Sequence, residues 1–234
     1  NAMIAPLTNF ELKGVLWYQG ESDTDDPDLY SETFPKMIKS WRKHFEDSDL
    51  PFLLVQLPNF MEESTEPQES SWAKMREVQR NTNLNVPNTG MAVTIDLGEW
   101  NDIHPLNKKD VGNRLALEAR KLIYDEDIVS SGPAPSAWEI KNGAVLVNFE
   151  NLKSGWKIKN GDQPTGFTIS EDGKTFYKAK AEVIGDNTLK IYNTKIKNPG
   201  VVRYAWANNP GNANLYNQED LPAVPFEIEL TKEK

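Results

Sequence analysis

The stretch that decides the fold is residues 14–23, GVLWYQGESD. Its first half is mostly apolar, as in a short buried strand, and its second half is polar and contains Gly20, as in a turn. A second stretch, residues 100–105 (WNDIHP), follows another apolar run and contains His104, one of only two histidines. Proteins with parallel sheets place their chemistry in turns that follow strand ends. Either stretch alone is typical of an ordinary turn, but together they predict a functional site.

Hydrophobic periodicity around these stretches predicts alternating strands and helices over residues 14–123. Three apolar runs are typical of buried strands: residues 14–18, 51–58 and 91–96. Three segments carry apolar residues at helical spacing: residues 28–45, 71–80 and 107–123. Pro35 predicts a kink or a new helix start inside the first helix. The alternation predicts a parallel sheet covered by helices. Such sheets normally have more than three strands, so we expect further strands before Met3.

The pattern changes after residues 125–135, whose composition is typical of a linker. Seven short strands are predicted beyond it: residues 137–140, 144–149, 166–170, 176–183, 188–192, 201–207 and 225–230. Turn signals at Gly173 and Gly185 separate some of them. We therefore assign residues 1–127 to an incomplete α/β domain and residues 128–234 to a small all-β antiparallel sandwich.

Composition excludes several classes of function. The net charge of −9 and the lack of a basic cluster argue against binding to nucleic acid or to an anionic membrane surface. No apolar run reaches the roughly 18 residues that a membrane-spanning helix needs. The chain has no cysteine, which excludes a disulfide scaffold, a cysteine zinc site and a thiol nucleophile. Residues 1–10 do not read as a secretory signal.

The residues that carry chemistry are typical of a hydrolase with an activated nucleophile. His104 is the best candidate base, since His44 lies in a charged helix. Asp102 or Asn101 could orient its imidazole from the same loop. Gln19 supplies an amide donor at a strand end, which suits an oxyanion hole. No serine stands in a nucleophile motif, and Ser22 lacks the flanking glycines of a nucleophile elbow.

Oxygen and nitrogen ligands for a metal also follow the predicted strands. The candidates are Glu21, Asp23, Asp96, Asp102 and His104. None of them stands in a motif with metal-ligand spacing. The sequence therefore favours a reaction with no metal and no cofactor.

Four blocks of the sequence resemble blocks of the sialate O-acetylesterases, within the SGNH-like carbohydrate esterases. They are residues 3–23, which contain WYQGESD, and residues 70–79, 96–116 and 202–226, in the same order as in that family. The resemblance covers nearly the whole chain and implies an SGNH/flavodoxin-like sheet. It also implies release of acetate from O-acetylated sugars, with sialic acid the leading substrate, and it favours a periplasmic or secreted protein.

The resemblance also implies roles for individual residues. His104 is the expected general base and Asp102 its orienting acid. Gln19 is expected to stabilise the oxyanion, with Gly20 and Glu21 shaping that turn; alternatively, Glu21 is structural and supports the His104 loop.

This chain departs from the SGNH pattern in two places. The family usually has Asp-x-x-His, whereas Asp102-Ile103-His104 is one residue shorter, so the orienting group stays open between Asp102, Asn101, Asp96 and a backbone carbonyl. The family's serine lies in an N-terminal block that this chain lacks. We therefore expect residues 1–234 to be the C-terminal part of an esterase, to need that segment as a partner, and to be inactive alone.

Two other functions fit the sequence. An acetylxylan esterase of the same superfamily would share these motifs and differ in its sugar. A carbohydrate-binding or scaffold protein without chemistry would use exposed aromatic residues such as Trp100 to stack on sugars.

Overall fold

The computed structural model describes residues 2–230. Strands and helices alternate in its first half: β1 (Val15–Trp17), α1 (Pro27–His44), β2 (Phe52–Val55), α2 (Ser71–Asn85), β3 (Thr89–Ala92) and α3 (Lys108–Leu122). β1 and β3 each pair in parallel with β2, so the sheet order is β1-β2-β3. This confirms the predicted α/β class. Asn1 and residues 231–234, the outer ends of the two predicted domains, lie outside the described residues.

Local sequence signals explain where the helices begin. Asp26 caps α1 by accepting a hydrogen bond from the amide of Leu29, and Pro27 fits the first turn, where no amide partner is needed. α1 then continues through Pro35, which excludes the predicted restart there. Ser70 caps α2 in the same way through the amide of Ala73. No helix among the described residues has the length and apolar character needed to cross a membrane.

The sheet is covered on both faces. α1 and α2 cover one face, where Phe34, Ile38 and Met75 pack on Phe52 and Leu54. α3 covers the other face through Val111 and Leu115. β2 is buried along its whole length, as its uninterrupted apolar run predicts. Leu16 in β1, in contrast, is 65% exposed.

Ten strands follow α3: β4 (Ala134–Lys141), β5 (Ala144–Glu150), β6 (Trp156–Ile158), β7 (Phe167–Ser170), β8 (Tyr177–Lys178), β9 (Lys180–Val183), β10 (Thr188–Tyr192), β11 (Val201–Tyr204), β12 (Leu215–Asn217) and β13 (Phe226–Glu229). They form two four-stranded antiparallel sheets, in the orders β4-β5-β10-β9 and β13-β11-β7-β8, and the pair β12-β6. The antiparallel character is as predicted, but the number of strands is not.

Four strands of this half, β6, β8, β9 and β12, account for the larger number. β6 and β12, which pair with each other, were not predicted. The single strand predicted over residues 176–183 is two strands, because the chain passes from one four-stranded sheet to the other at Ala179. A shared core of Val147, Phe149 and Phe226, among others, fills the space between the sheets.

The two halves pack closely on each other. Ala134 and Val224, from the second half, pack against the α1/α2 face of the parallel sheet. The fully buried guanidinium of Arg76 in α2 donates to Pro58 O at 3.0 Å and to Ala207 O and Asn208 O, both at 2.7 Å. The domain boundary expected between residues 127 and 128 remains a prediction.

Candidate active site

The predicted site residues follow the carboxyl ends of two of the three parallel strands. The turn that contains Gln19 follows β1, and the segment from Asp96 to His104 follows β3. Asn59, which sequence reasoning missed, follows β2. Because the carboxyl ends of parallel strands lie at the same end of a sheet, these segments share one end of the α/β half. The fold therefore brings the two stretches singled out in the sequence to the same end of the sheet.

The turn after β1 is fixed through its backbone. Gly20 has φ +147°, and a Cβ there would stand 3.1 Å from Gln79 Nε2. The carbonyl of Gln19 accepts hydrogen bonds from Gln79 Nε2 at 3.2 Å and from Tyr30 Oη at 3.3 Å. Residues Glu21–Asp23 then form a 3₁₀ turn. α1 and α2 thus set the position of this turn.

Gln19 and Glu21 in this turn are half-buried, and Ser22 and Asp23 are exposed. Gln19 Nε2 donates to the carboxylate of Asp23. An amide nitrogen carries two hydrogens, so the second can serve another acceptor. Glu21 makes no side-chain hydrogen bond with the His104 loop in the described residues. Burial, and secondly the charge of Glu21, raises the pKa of Tyr18 to about 12.

His104 stands on an exposed loop, with 87% of its side chain accessible. Its Nδ1 lies 3.6 Å from Asp102 Oδ1, which is longer than a hydrogen bond. The same carboxylate oxygen accepts the backbone amide of His104 at 2.8 Å. Asp102 and His104 are therefore brought together. Neither Asn101 nor any serine hydroxyl is hydrogen-bonded to His104 in residues 2–230.

Asp96 is occupied by other partners. Its carboxylate accepts two hydrogen bonds from Arg114, at 2.6 and 2.9 Å, and a third from Tyr216 Oη at 3.2 Å. Arg114 also donates to Val93 O at 2.7 Å. Asp96 thus joins the end of β3 to α3 and to β12 and does not contact the imidazole of His104. Sequence reasoning did not predict that Arg114 and Tyr216 are the partners of Asp96.

Asn59 anchors the His104 loop. The amide of Gly98 donates to Asn59 Oδ1 at 2.7 Å, and a Cβ at Gly98 would stand 1.9 Å from Asn59 O, so only glycine fits. Asn59 Nδ2 in turn donates to Asn209 Oδ1 at 3.2 Å, in the loop between β11 and β12. The sequence offered one signal for Asn59, its place directly after a buried strand.

The structure gives a metal little to bind. In residues 2–230 no group of three or more His, Asp or Glu side chains is arranged to hold an ion. Of the candidates, Asp96 is held by Arg114, and Asp23 accepts from Gln19.

Known proteins resemble this chain over most of its length. The family model for carbohydrate esterases described as sialic acid-specific acetylesterases matches residues 1–121. The chain is 34% identical to the sialate O-acetylesterase of Mus musculus over an alignment of 264 positions, which spans 99% of this chain and 47% of that protein. It is 32% identical to the sialate O-acetylesterase of Homo sapiens over an alignment of 248 positions, which spans 97% of this chain and 47% of that protein.

A solved structure agrees. A carbohydrate acetylesterase from Xanthomonas citri superposes with a TM-score of 0.90 at 41% identity, over 97% of this chain and 52% of that chain. The chain spans about half the length of the curated relatives it matches. Because the family model covers just over half of its residues, the chain belongs to the sialic acid-specific acetylesterase family of carbohydrate esterases.

Proposed function

We propose that this chain carries the general base and the oxyanion donor of a serine-type carbohydrate O-acetylesterase. The observation that carries the proposal is that the Gln19 turn and the loop with Asp102 and His104 both lie at the carboxyl end of one parallel sheet, in a chain of this family. O-acetylated sialic acid is the substrate class that the names of the relatives indicate. Acetylated xylan is the alternative.

The chemistry assigned to these residues is acyl transfer. A serine hydroxyl attacks the acetyl carbonyl while His104 accepts its proton. The free hydrogen of Gln19 Nε2 stabilises the negative charge that develops on the carbonyl oxygen. His104 then gives that proton to the departing sugar oxygen, which leaves as a hydroxyl, and an acetyl-enzyme remains. Water attacks the acetyl carbonyl while His104 takes its proton, and His104 returns this proton to the serine oxygen as acetate leaves.

We propose that the serine comes from a segment that pairs with the outer edge of β1. β1 pairs only with β2 among the described residues, which leaves its outer edge without a partner strand there, and Leu16 on β1 is exposed. Parallel sheets are normally covered, and a free strand edge is a template for another strand. The carboxyl end of a parallel strand added there would lie beside Gln19. The His104 loop leaves the sheet at this same end. This segment is the partner that the sequence predicted.

The test measures acetate release from a chromogenic acetyl ester. Residues 1–234 alone should be inactive, and a longer protein that adds an N-terminal serine-bearing segment should be active. In the longer protein, His104→Ala should lower kcat/KM by about 10³-fold or more, because proton transfer is lost.

His44→Ala is the matched control. His44 is the other histidine of the chain, lies exposed at the end of α1, and bonds only to Ser40 O within the described residues. Its substitution should leave kcat/KM within about twofold, as surface changes usually do. Activity of the short chain would disprove the assignment of an external serine. A His104→Ala enzyme within a few-fold of wild type would disprove the role of the histidine.

A further inference from the structure

The His104 loop, residues 97–106, is hydrogen-bonded to a distant part of the chain at one point. In residues 2–230 that bond is the one from the amide of Gly98 to Asn59 Oδ1, at 2.7 Å. The other hydrogen bonds of the loop stay inside it or join it to residues at most three positions away. Leu97 and Ile103 pack against the cores, and the Gly98 bond sets the backbone between them. The placement of the loop therefore depends on the side chain of Asn59.

Asn59 is itself held by a side chain of the β-rich half. Asn59 Nδ2 donates to Asn209 Oδ1 at 3.2 Å, and Asn209 Nδ2 donates to Met61 O at 2.8 Å. Asn209 lies in the loop between β11 and β12 and is only 4% exposed. We call this chain of hydrogen bonds, from Met61 O through Asn209 and Asn59 to the amide of Gly98, the amide relay.

Only one orientation of the two side-chain amides satisfies every bond of the relay. A backbone carbonyl only accepts, and a backbone amide only donates. Met61 O therefore requires the nitrogen of Asn209, which turns the oxygen of Asn209 toward Asn59. The amide of Gly98 requires the oxygen of Asn59, which turns the nitrogen of Asn59 toward Asn209. The two ends agree, so Asn209 selects the orientation of Asn59 that Gly98 needs.

The backbone around Asn209 is bonded to the α/β half independently of the relay. The carbonyl of Asn208 accepts from the guanidinium of Arg76 at 2.7 Å and from the amide of Phe60 at 3.2 Å. The carbonyl of Asn209 accepts the amide of Ser64 at 3.1 Å. These bonds dock the segment without the Asn209 side chain. Loss of that side chain should therefore affect the relay more than the contact between the halves.

We infer that Asn209 is a positioning residue of the candidate active site, which acts from the β-rich half through Asn59 to hold the His104 loop. The inference rests on the proposed function, because it gives Asn209 an effect on the general base. Acyl transfer depends steeply on where the base stands, and a misplacement of about 1 Å can cost about 100-fold in rate. The β-rich half is then part of the catalytic scaffold.

The first measurement is amide hydrogen exchange at Gly98, followed by NMR on residues 1–234, because it needs no catalysis. Asn209→Ala should speed this exchange several-fold, since Asn59 is then free to turn its oxygen away from Gly98. Asn59→Ala removes the acceptor itself and gives the largest acceleration that the relay can produce.

Asn214→Ala is the matched control. Asn214 lies in the same loop and is also buried, but its side chain donates to Gln163 O at 3.0 Å and accepts the amide of Thr165 at 2.8 Å. Both partners belong to the β-rich half. The control should lower Tm about as much as Asn209→Ala does, because each loses two buried hydrogen bonds, and should leave exchange at Gly98 unchanged. Equal acceleration by both variants, or none by Asn209→Ala, would overturn the inference.

Steady-state kinetics of the longer protein measures the effect on the reaction. Asn209→Ala should lower kcat about tenfold with KM within about twofold, and Asn214→Ala should leave kcat within about twofold. The double variant Asn59→Ala/Asn209→Ala should be no slower than Asn59→Ala, because Asn209 acts through Asn59. Additive losses, or an unchanged kcat in Asn209→Ala, would overturn the inference.

The two measurements separate this inference from the proposed function. A His104→Ala enzyme that keeps its activity would refute the function, and exchange at Gly98 would still show whether the relay holds the loop. An inactive His104→Ala enzyme, beside an Asn209→Ala enzyme with unchanged kcat and unchanged exchange, would refute the relay and leave the function intact.

Discussion

A single loop holds Asp102 beside His104, but it does not bring the carboxylate within hydrogen-bond distance of the imidazole. Asp102 Oδ1 is tied to the backbone amide of His104, so the loop itself holds the carboxylate beside the imidazole. The separation of 3.6 Å leaves room for a small rotation that would form the hydrogen bond to Nδ1. Catalytic hydrogen bonds are often long in the absence of substrate and shorten when it binds.

Replacing Asp102 and Asn101 by alanine, one at a time, tests which of these two candidates orients the imidazole of His104. In the longer protein, Asp102→Ala should lower kcat by about 10²-fold, because the imidazolium loses its counter-charge. Asn101→Ala, one residue earlier in the same loop, should have little effect. Steady-state kinetics with a chromogenic acetyl ester measures both. The reverse order of effects would transfer the orienting role to Asn101.

The buried carboxyl group of Glu118 in α3 makes the stability of the protein depend on pH. It is buried against Gly90, and burial raises its pKa to about 7, although a hydrogen bond with Ser130 opposes the shift. Its ordinary value is 4.5. Between these values the folded protein binds a proton that the unfolded chain has released, so stability falls as pH rises from about 4.5 to about 7. Glu77, whose pKa burial also raises to about 7, acts in the same direction.

Glu118→Gln should therefore stabilise the protein at pH 8, by an amount on the order of 3 kcal/mol, and change its stability little at pH 4.5. Urea unfolding at the two pH values measures this difference. Glu139→Gln, on the exposed face of β4, is the control and should change the free energy of unfolding by less than about 0.5 kcal/mol, as exposed substitutions usually do. An equal effect of Glu118→Gln at both pH values would contradict the assignment.

At the scale of elements, the sequence was informative wherever the signal was local. The uninterrupted apolar run of β2 and the helical periodicity of α3 predicted both elements closely. In both, the apolar residues that the local sequence pattern marks pack into a core. β6 and β12 were missed because they are three residues long and each is stabilised by the other, far away in the chain. The break at Ala179 was missed because a change of sheet leaves the apolar pattern uninterrupted.

The same distinction applies to the site. Gln19, Asp102 and His104 could be proposed from the sequence, since each follows a strand-like run. The partners of Asp96 could not, because Arg114 and Tyr216 are brought to it only by tertiary packing. The expectation of further strands before Met3 came from the small number of strands, a property of the whole sheet, and it stays a prediction.

At the scale of the molecule, Arg76 is the strongest single link between the halves. Its guanidinium donates to carbonyls of both, including Leu57 O at 2.9 Å and Asn208 O at 2.7 Å. Two further contacts support it: Glu77 accepts the amide of Glu227 at 3.3 Å, and Arg203 lies 3.2 Å from Glu69. The contacts place α2 at the centre of this interface.

Arg76→Ala should cost at least about 3 kcal/mol in unfolding free energy, because it leaves buried carbonyls without donors and opens a cavity. It should also make the two halves unfold at different urea concentrations, as followed by circular dichroism and limited proteolysis. Lys74→Ala is the control, since that side chain is exposed on the same helix. A loss below about 1 kcal/mol, with a single transition, would contradict the role of Arg76.

The packing of Val224 on the parallel sheet has a consequence for biosynthesis. A ribosome delivers β1, β2 and β3 before Val224, which packs against their sheet from more than 100 residues further along the chain. Part of the apolar face of the nascent α/β half must therefore remain uncovered until Val224 has been synthesised. During that interval, between the synthesis of α3 and that of β13, this face is exposed to aggregation and to chaperones.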